Sequence, residues 1–189
     1  MTLENFKALV VNQDENFTVK VNDLTLNDLP NGEVLIKVSY SGIDLAGIVV
    51  SSEDPRFREG DEVIATSYEI GVAHFGGFSE YARIPSKWIV PLPSGLSLKE
   101  AMIIGTAGFT AALSIQRLEE NGINPEKGKI LVTGATGGVG SFAVSILSTL
   151  GYQVEASTGK DSEHEYLNNL GATSIVDRGE VFDGKIRAL

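Results

Sequence analysis

Cysteine is absent from the 189-residue chain. That excludes disulfides, thiolate-held zinc or iron–sulfur clusters, and a cysteine nucleophile. Histidine is nearly absent: only His74 and His164 occur. A zinc site would need both together with carboxylates, and no such spacing is present. Basic residues are few. Lys and Arg total 15 against 25 Asp and Glu, a net charge of −10. A nucleic acid or an anionic bilayer needs a basic face, so neither is an expected partner. No long hydrophobic run occurs either. The longest uncharged stretch, residues 101–116, is diluted by Gly105, Thr106, Gly108 and Thr110 and reads as a buried helix. The N-terminal residues show no apolar signal core, and the expected location is cytoplasmic. What is present, 42% hydrophobic and 21% charged residues, is the composition of a packed globular protein.

The first ninety residues read as β. Phe17-Thr18-Val19-Lys20-Val21 alternates apolar and polar. Val34 to Tyr40 is rich in β-branched residues, and Leu45 to Val50, Glu62 to Thr66 and Phe78 to Ile84 are short apolar runs between glycines. Short strands at this spacing predict a small barrel or sandwich. After Pro93 the pattern changes. Ser97-Leu98-Lys99-Glu100 is a capping box, and the helical stretch over 106–120 stops at Asn121-Gly122. From Lys129 onward strand and helix alternate: a strand at 130–133, a helix at 139–150, a strand at 152–156, a helix at 161–170 and a strand at 174–176. This β-α-β-α-β order predicts a parallel sheet.

Between the first of these strands and its helix lies Thr133-Gly134-Ala135-Thr136-Gly137-Gly138-Val139-Gly140. Glycines there permit a tight turn and close approach of backbone to a pyrophosphate, which the N–H groups opening the helix can bind. No Gly-Lys-Ser/Thr ending follows, so the loop is not of the ATP-binding type. The next strand ends in Ala156-Ser157-Thr158-Gly159-Lys160. An NAD site places a carboxylate at this point for the ribose hydroxyls. Hydroxyls and a cation suit a 2′-phosphate better, and Arg178 could add a second cation. NADP(H) is therefore expected over NAD, with Asp161 as the competing ribose ligand. The octet also fits the short-chain dehydrogenase pattern. That family starts with it and needs Tyr-x-x-x-Lys downstream, and none of the five tyrosines has that lysine.

A β-rich domain ahead of such a loop resembles the medium-chain dehydrogenase/reductase superfamily. Gly60-Asp61-Glu62-Val63, Gly76-Gly77-Phe78-Ser79-Glu80-Tyr81 and Gly105-Thr106-Ala107-Gly108-Phe109-Thr110-Ala111 match its successive landmarks. Ser52-Glu53-Asp54-Pro55-Arg56-Phe57, Ala101-Met102-Ile103-Ile104-Gly105-Thr106 and His164-Glu165-Tyr166-Leu167 resemble the YhdH/YhfP-type quinone oxidoreductases, which include acrylyl-CoA reductases. The resemblance implies an α/β protein. A GroES-like β-barrel over residues 1–120 would carry the substrate side. The first half of a Rossmann-type, doubly wound parallel sheet, cut short, would occupy 121–189.

The resemblance further implies a zinc-independent NADPH enzyme that reduces the C=C of an α,β-unsaturated carbonyl, either quinone-like or an acrylyl-CoA-type thioester. Thr136, Gly137, Gly138 and Val139 would lie along the pyrophosphate. Thr158, Gly159, Lys160 and Arg178 would hold the 2′-phosphate, and Thr106 would approach the cofactor from the β-rich side. Relatives in the superfamily commonly dimerise, so a homo-oligomer is expected. Two stretches depart from the family. After Ile43 an Asn-Tyr-Lys-Asp motif and the residues following it are missing, and the C-terminal half is missing too. Both are read as stretches removed from this chain. No catalytic acid is evident. His74 reads as a structural loop histidine rather than a substrate-facing one. The competing function is a non-catalytic NADPH-binding protein.

Overall fold

Alternation of β-branched and polar residues lays out the first half of the chain. The computed structural model describes residues 5–13 and 17–182. Residues 1–4, read above for a targeting signal, and 183–189, at the end of the expected second domain, lie outside the described residues. Two units are present, residues 1–106 and 107–189.

In the first unit, β1 (Phe6–Gln13) and β2 (Phe17–Leu24) form an antiparallel ribbon running from Phe6↔Leu24 to Gln13↔Phe17. Five further strands, β3 (Val34–Ser41), β4 (Leu45–Ser52), β5 (Glu62–Ala65), β6 (Tyr81–Ile84) and β7 (Ile89–Pro91), make an antiparallel sheet in the order β6-β3-β4-β5-β7. The ribbon is tied to it through Leu9 N–H, which donates to the Phe78 carbonyl at 2.8 Å, and Glu80 N–H, which donates to the Lys7 carbonyl at 3.0 Å. One face of the sheet is dry: Val34, Ile36, Leu45, Val49, Val63 and Ile84 are buried together. Each such side chain contributes about 1.5–3 kcal/mol by leaving water.

β7 has no counterpart in the sequence reading. It is three residues long and ends in Pro91, which cannot donate to a ladder, so neither length nor alternation marks it. β3 and β4 are joined directly by Gly42-Ile43-Asp44, with Ser41 opposite Leu45 and Gly42 N–H donating to the Asp44 carbonyl at 2.9 Å. The join is a closed hairpin.

Helix α1 (Leu98–Glu120) starts earlier than the stretch read from sequence. It is broken at Gly105, whose φ of 48° and ψ of −157° are not helical. The capping box forms as expected. Glu100 N–H donates to Ser97 Oγ at 3.2 Å, and Ser97 N–H donates to Glu100 Oε2 at 2.9 Å. By length and composition α1 could cross a membrane. The expectation of a buried helix needs correcting. Gly108, Ala111 and Ile115, at helical spacing, are buried, while Ile103, Phe109 and Leu113 are exposed. Packing covers one stripe of an all-round apolar helix.

The second unit has the predicted alternation: β8 (Lys129–Thr133), α2 (Gly138–Thr149), β9 (Gln153–Thr158), α3 (His164–Asn169), β10 (Ser174–Asp177) and α4 (Arg178–Phe182). The strands are parallel in the order β10-β9-β8. That is the 3-2-1 order of half a dinucleotide-binding sheet. Val132, Val144, Leu147, Val154, Ala156 and Leu167 form its core.

Four carboxyls of the first unit are held below their ordinary range. The Ser97 hydroxyl and N–H act on Glu100, the Arg56 guanidinium and N–H on Asp54, the Ser86 N–H chiefly on Glu33, and the Thr25 N–H and hydroxyl on Asp28. A carboxyl with a depressed folded pKa stabilises above its unfolded value, near pH 4, and the gain is lost as pH falls through the folded value. Urea midpoints are therefore expected to be flat from neutral pH to about 5 and to fall below it. Ser97→Ala should lower the midpoint at neutral pH and shrink the acid-dependent part.

Candidate functional site

Every expected nucleotide-contact residue of the second unit sits at the carboxyl ends of β8, β9 and β10, the edge at which open parallel sheets bind ligands. The loop after β8 turns at Gly134, with φ 61°, and Gly137 N–H donates to the Gly134 carbonyl at 2.9 Å. Thr136, Gly137, Gly138 and Val139 follow as the turn and the first residues of α2. Thr136 is half-buried and the other three are exposed. α2 has Gly137 as N-cap, so no side chain caps it, and no acidic residue lies in its first turn. Its first helical hydrogen bond runs from Ser141 N–H to the Gly137 carbonyl at 2.8 Å. The N–H groups of Gly138, Val139 and Gly140 precede that bond and face the positive end of the helix dipole.

Gly140 makes this arrangement fit. A Cβ there would run into the Gly134 carbonyl oxygen and lie 2.8 Å from Ala135 Cα. Ala135 N–H donates to the Ser157 carbonyl at 3.3 Å, which ties the loop to the end of β9.

The end of β9 is polar but buried: Ser157 and Thr158 are 2% and 5% exposed. Thr158 Oγ1 accepts from Lys160 N–H at 3.1 Å. Thr158 pairs with Asp177 across the ladder, so the residue after Asp177 emerges beside Gly159. That residue is Arg178, and its Nε is 3.6 Å from where a Gly159 Cβ would stand. The guanidinium therefore lies within contact distance of Gly159. Lys160 and Arg178 are both exposed, and neither has a carboxylate partner among the described residues. Both cations thus follow closely on the carboxyl ends of neighbouring strands. Asp161, the competing ribose ligand, is 99% exposed, with its carboxylate 3.8 Å from His164 Nε2.

Arg178 lies in α4, a helix beyond the strand at 174–176 with which the sequence reading ends. Asp177 starts that helix, accepting from Gly179 N–H at 2.6 Å. An Asp at a strand end followed by Arg-Gly-Glu is a signal that could have been read as an N-cap.

Thr106 belongs to the first unit. It donates to Asp44 Oδ2 at 2.6 Å and lies 3.1 Å from Thr66 Oγ1, while Asp44 Oδ1 accepts from Ser67 N–H at 3.2 Å. Ser67 and Tyr68 have φ of 66° and 52°, a left-handed pair that turns this N–H toward Asp44. Sequence reasoning missed Asp44. Its partner is 62 residues away, and no local pattern announces such a contact. His74 has the structural bond expected of it, Nδ1 to the Phe75 carbonyl at 2.9 Å.

The alcohol dehydrogenase GroES-like domain family matches residues 17–94. Acrylyl-CoA reductase AcuI of Ruegeria pomeroyi is 45% identical over 203 aligned positions, which take in 93% of this chain and 62% of that protein. The chain therefore spans less than two thirds of that relative. Since 93% of 189 residues fill 203 positions, about 27 of those positions have no residue in this chain. The crystal structure of Bacillus subtilis yhfP with NAD bound is 53% identical and superposes with a TM-score of 0.92, over 98% of this chain and 64% of that one. The Salmonella enterica yhdH oxidoreductase in complex with NADP is 44% identical with a TM-score of 0.89, over 92% and 61%.

Gly140→Ala tests the close approach of α2 to β8. The clash is with backbone, which cannot swing aside, so the substitution is expected to cost about 2 kcal/mol in urea unfolding. Gly134 and Ala135 would have to move to relieve it.

Proposed function

Because the chain belongs to the medium-chain dehydrogenase/reductase family, we propose that it serves an NADPH-dependent reductase acting on the C=C of an α,β-unsaturated carbonyl. The acceptor is quinone-like or an acrylyl-CoA-type thioester, and no zinc takes part. The observation that carries the cofactor choice is that Lys160 and Arg178 follow the ends of the neighbouring strands β9 and β10 with no carboxylate partner among the described residues. A 2′-phosphate carries close to two negative charges. An NAD site would instead want an inward carboxylate there, and Asp161 points to solvent.

In this reading the N–H groups opening α2, with Thr136, Gly137, Gly138 and Val139, bind the pyrophosphate. Thr158 and Gly159 floor the phosphate pocket between the two cations. Thr106 is a cofactor contact from the β-rich side, its hydroxyl oriented by Asp44. When bound, NADPH supplies the hydride. The chain binds and orients it and excludes water from its phosphate end. Residues 1–120 belong to the substrate side and 121–189 to the nucleotide side. A cytoplasmic homodimer is part of the same proposal. Zinc independence is supported by the lack of any cysteine ligand.

A second reading, NADPH binding without turnover, is favoured by one observation. Gly42-Ile43-Asp44 closes β3 onto β4 where the family carries its Asn-Tyr-Lys-Asp segment.

NADPH oxidation with acrylyl-CoA and with para-benzoquinone, and NADH as control, separates the two. Turnover of either acceptor with NADPH preferred is the expected result. Tight NADPH binding without turnover selects the second reading. Lys160→Ala and Arg178→Ala are each expected to weaken NADPH about tenfold and to leave NADH unchanged. Equal losses for both cofactors would remove the 2′-phosphate assignment.

A further inference from the structure

Outside the nucleotide edge, the first unit holds an open cleft of about 460 Å³ between the β1–β2 ribbon and the 71–76 loop. Its apolar lining includes Leu9, Val11, Ile43, Phe75 and Phe78, all between 42% and 56% exposed. Large side chains gathered on one concave surface and left to water are the mark of a binding site rather than of scatter. Ile43 is at the tip of the short β3–β4 hairpin. That tip is fastened to the loop: Gly77 N–H donates to the Ile43 carbonyl at 3.0 Å, and a Cβ at Gly76 would lie 2.9 Å from the same oxygen. The cleft is therefore a built feature of this chain, at the connection where the family's pattern carries additional residues.

One polar group in the lining is unexplained. His74 Nδ1 faces the Phe75 carbonyl, which can only accept, so this nitrogen carries the proton. In the neutral ring Nε2 is then a bare acceptor. It is buried and meets no partner among the described residues. A buried acceptor left unpaired is unfavourable, and a donor arriving from outside removes that penalty. The His74 ring stands edge-on to Trp88 at 5.2 Å between centroids. Val72 at the crown of the loop is 85% exposed.

The geometry points to a second ligand site in this cleft, for a small apolar aromatic molecule that carries one hydroxyl. Its ring packs between Phe75, Phe78 and Leu9, and with residues 71–76 shifted outward its hydroxyl donates to His74 Nε2, which is otherwise buried. The site is independent of the nucleotide reading and stands or falls without it.

Trp88 is the only tryptophan and touches His74, so its emission reports occupancy. The probes are para-tert-butylphenol and its methyl ether, para-tert-butylanisole, which has the same ring and no donor. The whole chain is expected to bind the phenol saturably and about tenfold more tightly than the ether. His74→Phe should erase that preference and leave ether binding within about twofold. His74→Gln, whose amide oxygen still accepts, should retain part of it, and this variant guards against loss of fold in the first. No saturable binding, equal binding of phenol and ether, or a preference that survives in His74→Phe would each overturn the proposal.

Discussion

The first turn of α2 can come down onto the end of β8 only because nothing projects from Gly140 toward the Gly134 carbonyl. The nucleotide edge depends on that contact. It sets the left-handed turn at Gly134, leaves Gly137 as a cap with no side chain, and brings Ala135 within hydrogen-bonding reach of Ser157. The result is a helix whose positive end stays open, beside a strand end that is buried and polar. A side chain at Gly140 would push the helix off the sheet. A capping Asp or Ser at Gly137 would satisfy groups that a phosphate otherwise binds.

Charge makes the second half of the argument. The chain is acidic, yet the two cations at the ends of β9 and β10 have no carboxylate partner among the described residues. Parallel pairing with Thr158 opposite Asp177 puts Arg178 next to Gly159. Lys160 follows Gly159, its backbone N–H donating to Thr158 Oγ1.

Local rules carried most of the fold. Hydrophobic alternation marks β2, β-branched residues mark β3, and short apolar runs mark β4, β5 and β6 as well as β8 to β10. The capping box at Ser97 and the glycine stops after α1, α2 and α3 are formed as their residues indicate. The pieces that escaped notice are those decided by partners far along the chain. β7 is too short to show a period, and α1 carries a non-helical Gly105 inside a helical pattern. The Asp44–Thr106 bond spans 62 residues. The open cleft beside His74 is legible only once the ribbon, the hairpin tip and the 71–76 loop are placed together. Of the candidate site, the glycine loop and the cations could be named from sequence because they lie within a few residues of strand ends. That Arg178 meets Gly159 follows from the register of β9 against β10, which no single strand encodes.

The central claim is that the edge formed by Thr158, Gly159, Lys160 and Arg178 selects a 2′-phosphate. Calorimetric titration of the chain with adenosine phosphorylated on both the 2′ and 5′ oxygens, against adenosine phosphorylated on the 5′ oxygen alone, tests it most directly. The account predicts that the doubly phosphorylated ligand binds at least about tenfold more tightly, with an advantage that shrinks as salt is added. Equal affinity for the two, or an advantage indifferent to salt, would contradict it.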